Sequence, residues 1–598
     1  MWQPGSRITS ANDVGAALQQ AVGLHQSGRI DEAVNIYDKI LKVVPNQPDA
    51  LNFKGLAAHQ TGDFDSAIKL IGQALEHMPP GNLQANVMFL NNLGSAHGAA
   101  RDTAAAVDCF RRALDLDPNF YMALDNLGNA LVNEGNLAEA ATYYRRMIDL
   151  EAGDEDAHCK LAAALIDGGD LDAGIKCLRE ALKVEPGFII VWNNLGQVLG
   201  EKGEFEEAIQ CFEKILEIDP DDAGACCNLS NVYREQGRLD DAETAARKAV
   251  ELDPSIDNAH TQLGLLLLAR EQVDEASDEI LAPAKDFRRP DGDLVAAKNF
   301  DTFNRINKQK LLHDIEQLTY LIENEVVEEN EFGWLLAEYK EHFAAHPELE
   351  ETDLDDLRPQ VSEGFVAQYN RLWHFAPAPM IPGGTINPDL DTKAVEEAFF
   401  DNDPNLSLVD DLLTKEALAS LRKFCLESTV WYNISASGDV GANLEHGFCC
   451  PLLLQVAADI RSAFPRLYSD LIFSSCWSFK YYEKESGDGL HGDSGLRNLN
   501  LWLTPDDANL DTNTGGLTFW DKKVPLLEIQ NSPKKKSIEI MRGIISEPDT
   551  KATKVPYKGN RAGLFESNII HCTDTLNFKP GYENRRINIT FVYGMPDY

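Results

Sequence analysis

Gly28-Arg-Ile-Asp-Glu-Ala33 opens the pattern that decides the fold of the first half of the chain. The same glycine-to-alanine spacing returns at Gly62–Ala67, Gly135–Ala140, Gly203–Ala208 and Gly237–Ala242. A proline follows twelve residues after the alanine in most units: Pro45, Pro79, Pro118, Pro186, Pro220 and Pro254. Leu93-Gly94, Leu127-Gly128, Leu195-Gly196 and Leu263-Gly264 mark a first helix, and Tyr37, Phe110, Tyr144 and Phe212 put an aromatic ring in the second. Small residues let antiparallel helices approach, while the large ones fill the gap between neighbouring pairs. Units begin near 14, 48, 87, 121, 155, 189, 223 and 257, a period of 34 that slips once where Pro80–Asn86 lengthens a connection. The eighth unit degenerates after Ala276 and is expected to cap the array.

This unit resembles the tetratricopeptide repeat. The resemblance implies an α-solenoid over residues 14–282, of about eight repeats, with a concave face and a loose lead-in over 1–13. Asn92, Asn126, Asn194 and Asn228 share one position in four units, in a row that Lys160 interrupts. An asparagine side chain carries both donors and acceptors. The row resembles the ladder of O-linked N-acetylglucosamine transferase, which implies a grip on an extended peptide backbone. Asparagine before Leu-Gly is also an ordinary feature of such repeats.

The 598 residues leave room for about three or four domains of roughly 150 residues each. A formal charge of −42 argues against general nucleic-acid binding, which draws on basic surface. No apolar run approaches the roughly 20 residues that span a bilayer, so no membrane segment is expected. Met1–Asp13 lacks the basic start and apolar core of a signal peptide, giving a cytoplasmic or nuclear expectation. Eleven scattered cysteines without a C-x-x-C pair indicate neither a disulfide framework nor a structural zinc site. Residues 283–390 read as a helical linker region. It opens on the turn-rich Arg288-Arg289-Pro290-Asp291-Gly292, continues through helical Phe303–Glu328 and Glu329–Ala345 with His313 and His342 as ordinary helix residues, and ends near the proline- and glycine-rich Phe375–Asn387.

Leu406–Phe424 reads as a short strand and a helix opening a new domain, and from Ile472 the pattern turns to short strands, predicted at Ser474–Tyr482, Leu499–Thr504, Gly516–Trp520, Ala562–Phe565 and Ile587–Tyr593. Their spacing suggests an antiparallel barrel or double-sheet jelly roll. Within it stands Leu490-His491-Gly492-Asp493, with His571 further on. Two imidazoles and one carboxylate are what a 2-His-1-carboxylate facial triad requires, and such a site leaves open positions on a ferrous ion. In an extended segment His491 and Asp493 project from one face, because strand side chains alternate. Arg586-Ile587-Asn588-Ile589-Thr590 alternates likewise, so that its polar face carries a guanidinium able to grip a carboxylate bidentately. Arg585 points the other way and is the second choice.

The ordered set of Tyr482, His491-Gly-Asp493, Gly515-Gly516-Leu-Thr-Phe519, His571 and Arg586–Thr590 resembles the iron(II)- and 2-oxoglutarate-dependent dioxygenases, closest in pattern to the prolyl-4-hydroxylase-like group. The match covers about the last 120 residues in detail. It implies a double-stranded β-helix over 391–598, iron held by His491, Asp493 and His571, and the C5 carboxylate of 2-oxoglutarate on Arg586 with Thr590 and Tyr482 in support. O2 is then the co-reactant and ascorbate a candidate auxiliary reductant. Asn500, facing with Asn498 and Trp502, is a candidate for lining the pocket, and His446 is a candidate ligand by residue type alone. Residues 521–560, with Lys534-Lys535-Lys536, depart from the family pattern and read as a solvated loop or a lid.

The whole reads as a multidomain α + β protein: N-terminal α-solenoid, helical linker, C-terminal jelly roll. The expected activity is hydroxylation of a side chain on a protein or peptide recruited by the repeats. Two alternatives stand beside it, a small-metabolite oxygenase whose repeats serve assembly and a catalytically inactive interaction scaffold.

Overall fold

The computed structural model describes residues 11–288, 305–346, 349, 352–353, 361–434, 439–481, 489–493, 495–524 and 534–594. Packing divides the chain into two compact units, Met1–Ile218 and Asp219–Tyr598.

The first unit holds six antiparallel helix pairs, from Ala11–Gln26 to Phe205–Ile218. Its first helix starts at Ala11, inside the stretch assigned to the lead-in. Asp63, Asp102, Asp154 and Asp170 each cap a helix by accepting a backbone N–H three residues on, which satisfies a donor the helix itself leaves open. The pairing of Leu-Gly with an aromatic has a steric cause: a Cβ on Gly94 or Gly128 would lie 2.5 Å from the ring of Phe110 or Tyr144. These close approaches fix the helix pairs face to face. Cys109 and Cys211 are buried among them as small apolar fillers.

The second unit opens with four more repeat helices, Ala223–Glu235, Leu239–Leu252, Asp257–Ala269 and Val273–Phe287. The last pair, expected to cap the array, is itself covered. Leu263 and Leu265 to Leu268 are all buried, and a helix that is apolar on all sides must be covered. They join Leu281, Phe448, Leu452, Leu453, Cys476 and Ile589 in one core shared with the C-terminal β-region.

That region follows a two-residue ladder of β1 (Arg305–Ile306) with β2 (Thr352–Asp353). Its strands are β3 (Leu406–Val409), β4 (Asn433–Ile434), β5 (Val440–Asn443), β6 (Ile472–Tyr481), β7 (Arg497–Trp502), β8 (Leu517–Lys523), β9 (Ala552–Val555), β10 (Ala562–Glu566), β11 (Ile569–Thr573) and β12 (Arg586–Gly594). Seven form an antiparallel sheet in the order β3-β10-β7-β12-β6-β5-β4, and three form a second, β11-β8-β9. Alternation sorts the larger sheet's faces. Leu499, Leu501, Ile587, Ile589 and Phe591 meet the helices, while Trp502 and Phe565 share the opposite core with Leu517, Phe519, Val555 and Ile569 of the smaller sheet.

The region expected to be a linker is built into this unit. Gln317 on the helix Lys308–Glu323 donates to Ser428 O at 2.9 Å, and Lys310 and Asp314 form a buried pair at 2.6 Å. His313 is wholly buried between Trp431 and Tyr582. Ala376, Ala378 and Ile381 of the proline-rich stretch are buried as well. Arg288, read as part of a turn, caps the helix Val273–Phe287 and is fully buried. Its guanidinium donates to the carbonyls of Asn370 (3.0 Å), Val430 (3.1 Å), His446 (2.6 Å) and Thr429 (3.2 Å). Residues 521–560 are no simple loop. They contain β9 and the helix Lys534–Ile545, whose Met541 packs with Val524, Ile570 and Leu490. Among the described residues no helix is long and apolar enough to cross a membrane.

Two outcomes are expected. Arg288→Met leaves four buried carbonyls without their donor, and at about 1–3 kcal/mol per orphaned group the melting midpoint of this unit falls by well over 5 °C in a thermal scan. Burial pushes His313 down to about 3 and His446 down to about 4. Both stay neutral in the folded chain while the unfolded chain protonates them below about 6.5, so stability is full above that pH and falls as the pH drops toward 4. Urea midpoints measured from pH 7.5 to pH 4.5 check the slope.

Candidate metal centre

Gly489–Asp493 meets β11 through one isolated antiparallel bridge, His491 with His571. His491 and His571 exchange backbone N–H···O bonds, each 3.0 Å, and Asp493 N donates to Ser567 O at 2.8 Å. The period of two then turns His491 and Asp493 toward the same side, where His571 already points. The three ligand atoms all lie within 4.8 Å of one another. His491 Nε2 is 3.6 Å from Asp493 Oδ1, and His571 Nε2 is 3.5 Å from Asp493 Oδ2. No other group of this kind occurs among the described residues.

Each imidazole is oriented from behind. His571 Nδ1 faces the Ile569 carbonyl at 2.9 Å, and His491 Nδ1 faces the Gly489 carbonyl. A carbonyl only accepts, so Nδ1 carries the proton and Nε2 keeps its lone pair toward the centre. Burial, helped by the neighbouring His491, pushes His571 down to about 4, so that ring is neutral and able to coordinate at neutral pH. Phe519 stacks on it at 5.6 Å and Phe565 meets it edge-on at 4.9 Å. His491 has 49% of its side chain exposed against 3% for His571, so the centre opens on the His491 side.

Arg586 lies fully buried on the inner face of β12, with its guanidinium 4.5 Å from the ring centre of Tyr481 and 5.7 Å from that of Trp502. Among the described residues none of its three side-chain nitrogens makes a well-formed hydrogen bond, although it interacts with the Tyr481 hydroxyl. Asn588 Oδ1, Asn500 Oδ1 and Trp502 Nε1 on the same face are also unpartnered, and Thr590 Oγ1 accepts from Asn500 Nδ2 at 2.9 Å. Folded proteins leave few buried polar groups unanswered, and a charge least of all. A bidentate carboxylate would supply the acceptors that Arg586 lacks. Arg585 faces away and is paired with Glu316 at 2.7 Å. Tyr482 lies outside the described residues. Tyr481, which sequence alone did not single out, is the aromatic opposite Arg586, and the register of β6 on β12 is the signal that finds it. His446 is engaged with Tyr432 and takes no part in the centre.

The asparagine row has a role within the repeats. Asn92 Nδ2 donates to Asn52 at 3.0 Å, Asn126 Nδ2 donates to Asn91 at 2.9 Å, and Asn194 bonds the Cys159 thiol. Lys160 does not interrupt this series: it reaches Asp125 at 2.6 Å, the matching acceptor one repeat earlier. In the second unit Asn228 is half-buried at the corresponding place, and Asn258 reaches Cys227 at 3.5 Å. Three of the four amides, those of Asn92, Asn126 and Asn194, thus bond the neighbouring repeat.

Over residues 50–297 the chain matches the family model described as the C-terminal domain of cilia and flagella-associated protein 70, a tetratricopeptide-repeat domain. Among solved structures it is similar to the C-terminal part of a tetratricopeptide repeat-containing protein from Cytophaga hutchinsonii, at 16% identity and TM-score 0.37, covering 41% of this chain and 99% of that one. It is also similar to YrrB, described as a tetratricopeptide protein with an unusual peptide-binding site, at 20% identity and TM-score 0.26, covering 32% and 97%. A repeat protein from Parabacteroides merdae matches at 17% identity and TM-score 0.32, covering 39% and 91%. A comparison with curated proteins gives no significant match.

Removing the unanswered charge is expected to stabilise the chain in the absence of ligand. Arg586→Met raises the urea midpoint by the equivalent of about 1–4 kcal/mol, the range found when buried charges give way to apolar side chains. A fall would show that Arg586 has a partner in the free protein.

Proposed function

We propose that the C-terminal unit of this chain, whose residues 50–297 match a tetratricopeptide-repeat family model, is an iron(II)- and 2-oxoglutarate-dependent dioxygenase that hydroxylates a side chain of a protein or peptide recruited by the repeats. On this reading the two antiparallel sheets are the walls of a double-stranded β-helix. The observation that carries it is a buried guanidinium with no well-formed hydrogen bond to any described residue, in the same β-core as a convergent His-Asp-His set.

His491, Asp493 and His571 would hold the iron, two neutral nitrogens and one carboxylate suiting a ferrous ion. Arg586 would hold the C5 carboxylate of 2-oxoglutarate, with Tyr481 and Trp502 flanking its guanidinium and Thr590 on the same face. When bound, the ion and 2-oxoglutarate supply the oxidising chemistry: O2 is split between succinate, formed with loss of CO2, and the hydroxyl group of the product. The chain's own part is to fix the ligands, to hold one end of the cosubstrate by a charge taken out of water, and to keep the inner side of the site dry with Phe519 and Phe565. Recruitment of a protein or peptide falls to the repeats, whose stacked pairs suit extended partners.

Succinate release from 2-oxoglutarate in the presence of Fe(II) is expected for the whole chain and lost, to background, in His491→Ala and Asp493→Ala. Arg586→Met raises the 2-oxoglutarate concentration needed by at least about a hundredfold, since truncating one partner of a buried charge pair costs about 3–5 kcal/mol. In a chain truncated to residues 219–598, succinate release persists while modification of the recruited protein is lost. Loss of both, or of neither, removes the role given to the repeats. Absence of any 2-oxoglutarate turnover by the intact chain removes the enzyme.

A further inference from the structure

Asp493 is held by a closed set of bonds from two other segments. Its backbone N–H donates to Ser567 O at 2.8 Å, its Oδ2 accepts from Asn498 Nδ2 at 2.6 Å, and Asn498 Oδ1 accepts from Ser567 Oγ at 2.8 Å. Asn498 is 0% exposed and Ser567 1%, one on β7 and the other in the turn between β10 and β11. The direction of every bond is fixed by chemistry. A carboxylate only accepts, so the amide must present its nitrogen to Asp493. The amide oxygen then faces Ser567, whose hydroxyl must donate. The carboxylate is therefore fixed in rotation, with Oδ2 occupied by a neutral donor.

We propose that Asn498 and Ser567 are positioning residues, acting in series, that set the Asp493 carboxylate for metal coordination. This rests on the oxygenase reading. A neutral donor orients the carboxylate without cancelling its charge, whereas a lysine or arginine in the same place would compete with the ion. The Ser567 hydroxyl reaches Asp493 only through Asn498, so its influence must pass through that amide. Ser567 thus holds Asp493 at two points, its backbone through the Ser567 main-chain oxygen and its carboxylate through the Ser567 side chain at one remove.

Mn(II) titrated calorimetrically into the whole chain, without 2-oxoglutarate, tests this. Asn498→Leu, close in size and without either polar atom, is expected to weaken Mn(II) binding about 10- to 100-fold, the usual cost of losing an outer hydrogen bond to a metal ligand. Ser567→Ala, which leaves the main-chain bond in place and changes volume little, weakens it about three- to tenfold. The double variant binds no more weakly than Asn498→Leu alone, a non-additivity that independent packing defects would not give. Wild-type affinity in Ser567→Ala, or losses that multiply in the double variant, overturns the proposal even if Asn498→Leu fails to fold. Wild-type protein that takes up no Mn(II), or an Asp493→Ala variant that binds it normally, sinks the oxygenase reading and this one with it. Normal uptake by the wild type with unchanged variants sinks this one alone.

Discussion

A charge taken out of water must be answered, and the C-terminal unit contains two wholly buried guanidiniums that show both ways of meeting that requirement. Arg288 is answered by the fold, with four main-chain carbonyls from three separate stretches turned onto one side chain. Among the described residues Arg586 meets aromatic faces and the Tyr481 hydroxyl but no well-formed hydrogen bond. The first arrangement makes the unit coherent, because segments distant in sequence must converge for the charge to be tolerated. The second leaves donors in the interior that an acceptor from outside the chain can meet.

The helical half was legible because its periodicity is steric. Gly94 and Gly128 are needed where the rings of Phe110 and Tyr144 sit against the backbone, and a repeated clash leaves a repeated letter in the sequence. The triad was legible for a related reason: one intervening residue between His491 and Asp493 is meaningful only in an extended segment. The bonds that hold the site were not legible. Asn498 and Ser567 are 69 residues apart and meet only through the pairing of β7 with β10, which no local pattern encodes. Arg288 was misread because Arg-Arg-Pro in a turn looks like solvated chain, and burial of a guanidinium depends on carbonyls that arrive from residues 370 to 446.

Among the repeats, the substitution at Lys160 carries its own lesson. Where neighbouring units join an asparagine to an asparagine or a thiol, this one joins an ammonium to the Asp125 carboxylate. Both members of the contact differ together, so the connection persists while its chemistry changes. A row that looked broken when only one position was compared is continuous when donor and acceptor are taken as a pair. This weakens the case for those amides as a peptide grip and strengthens the case for them as mortar between units.

The burial of the leucine-rich helix Asp257–Ala269 in the same core as β-strand residues bears on how such a chain can diversify. In an open-ended array, units can be gained or lost by recombination wherever each rests only on its neighbours. Here the final pair has ceased to be interchangeable, since its apolar surface is matched to one particular partner surface. Exchange of the array between genes would therefore have to carry the last pair along with the β-region it covers.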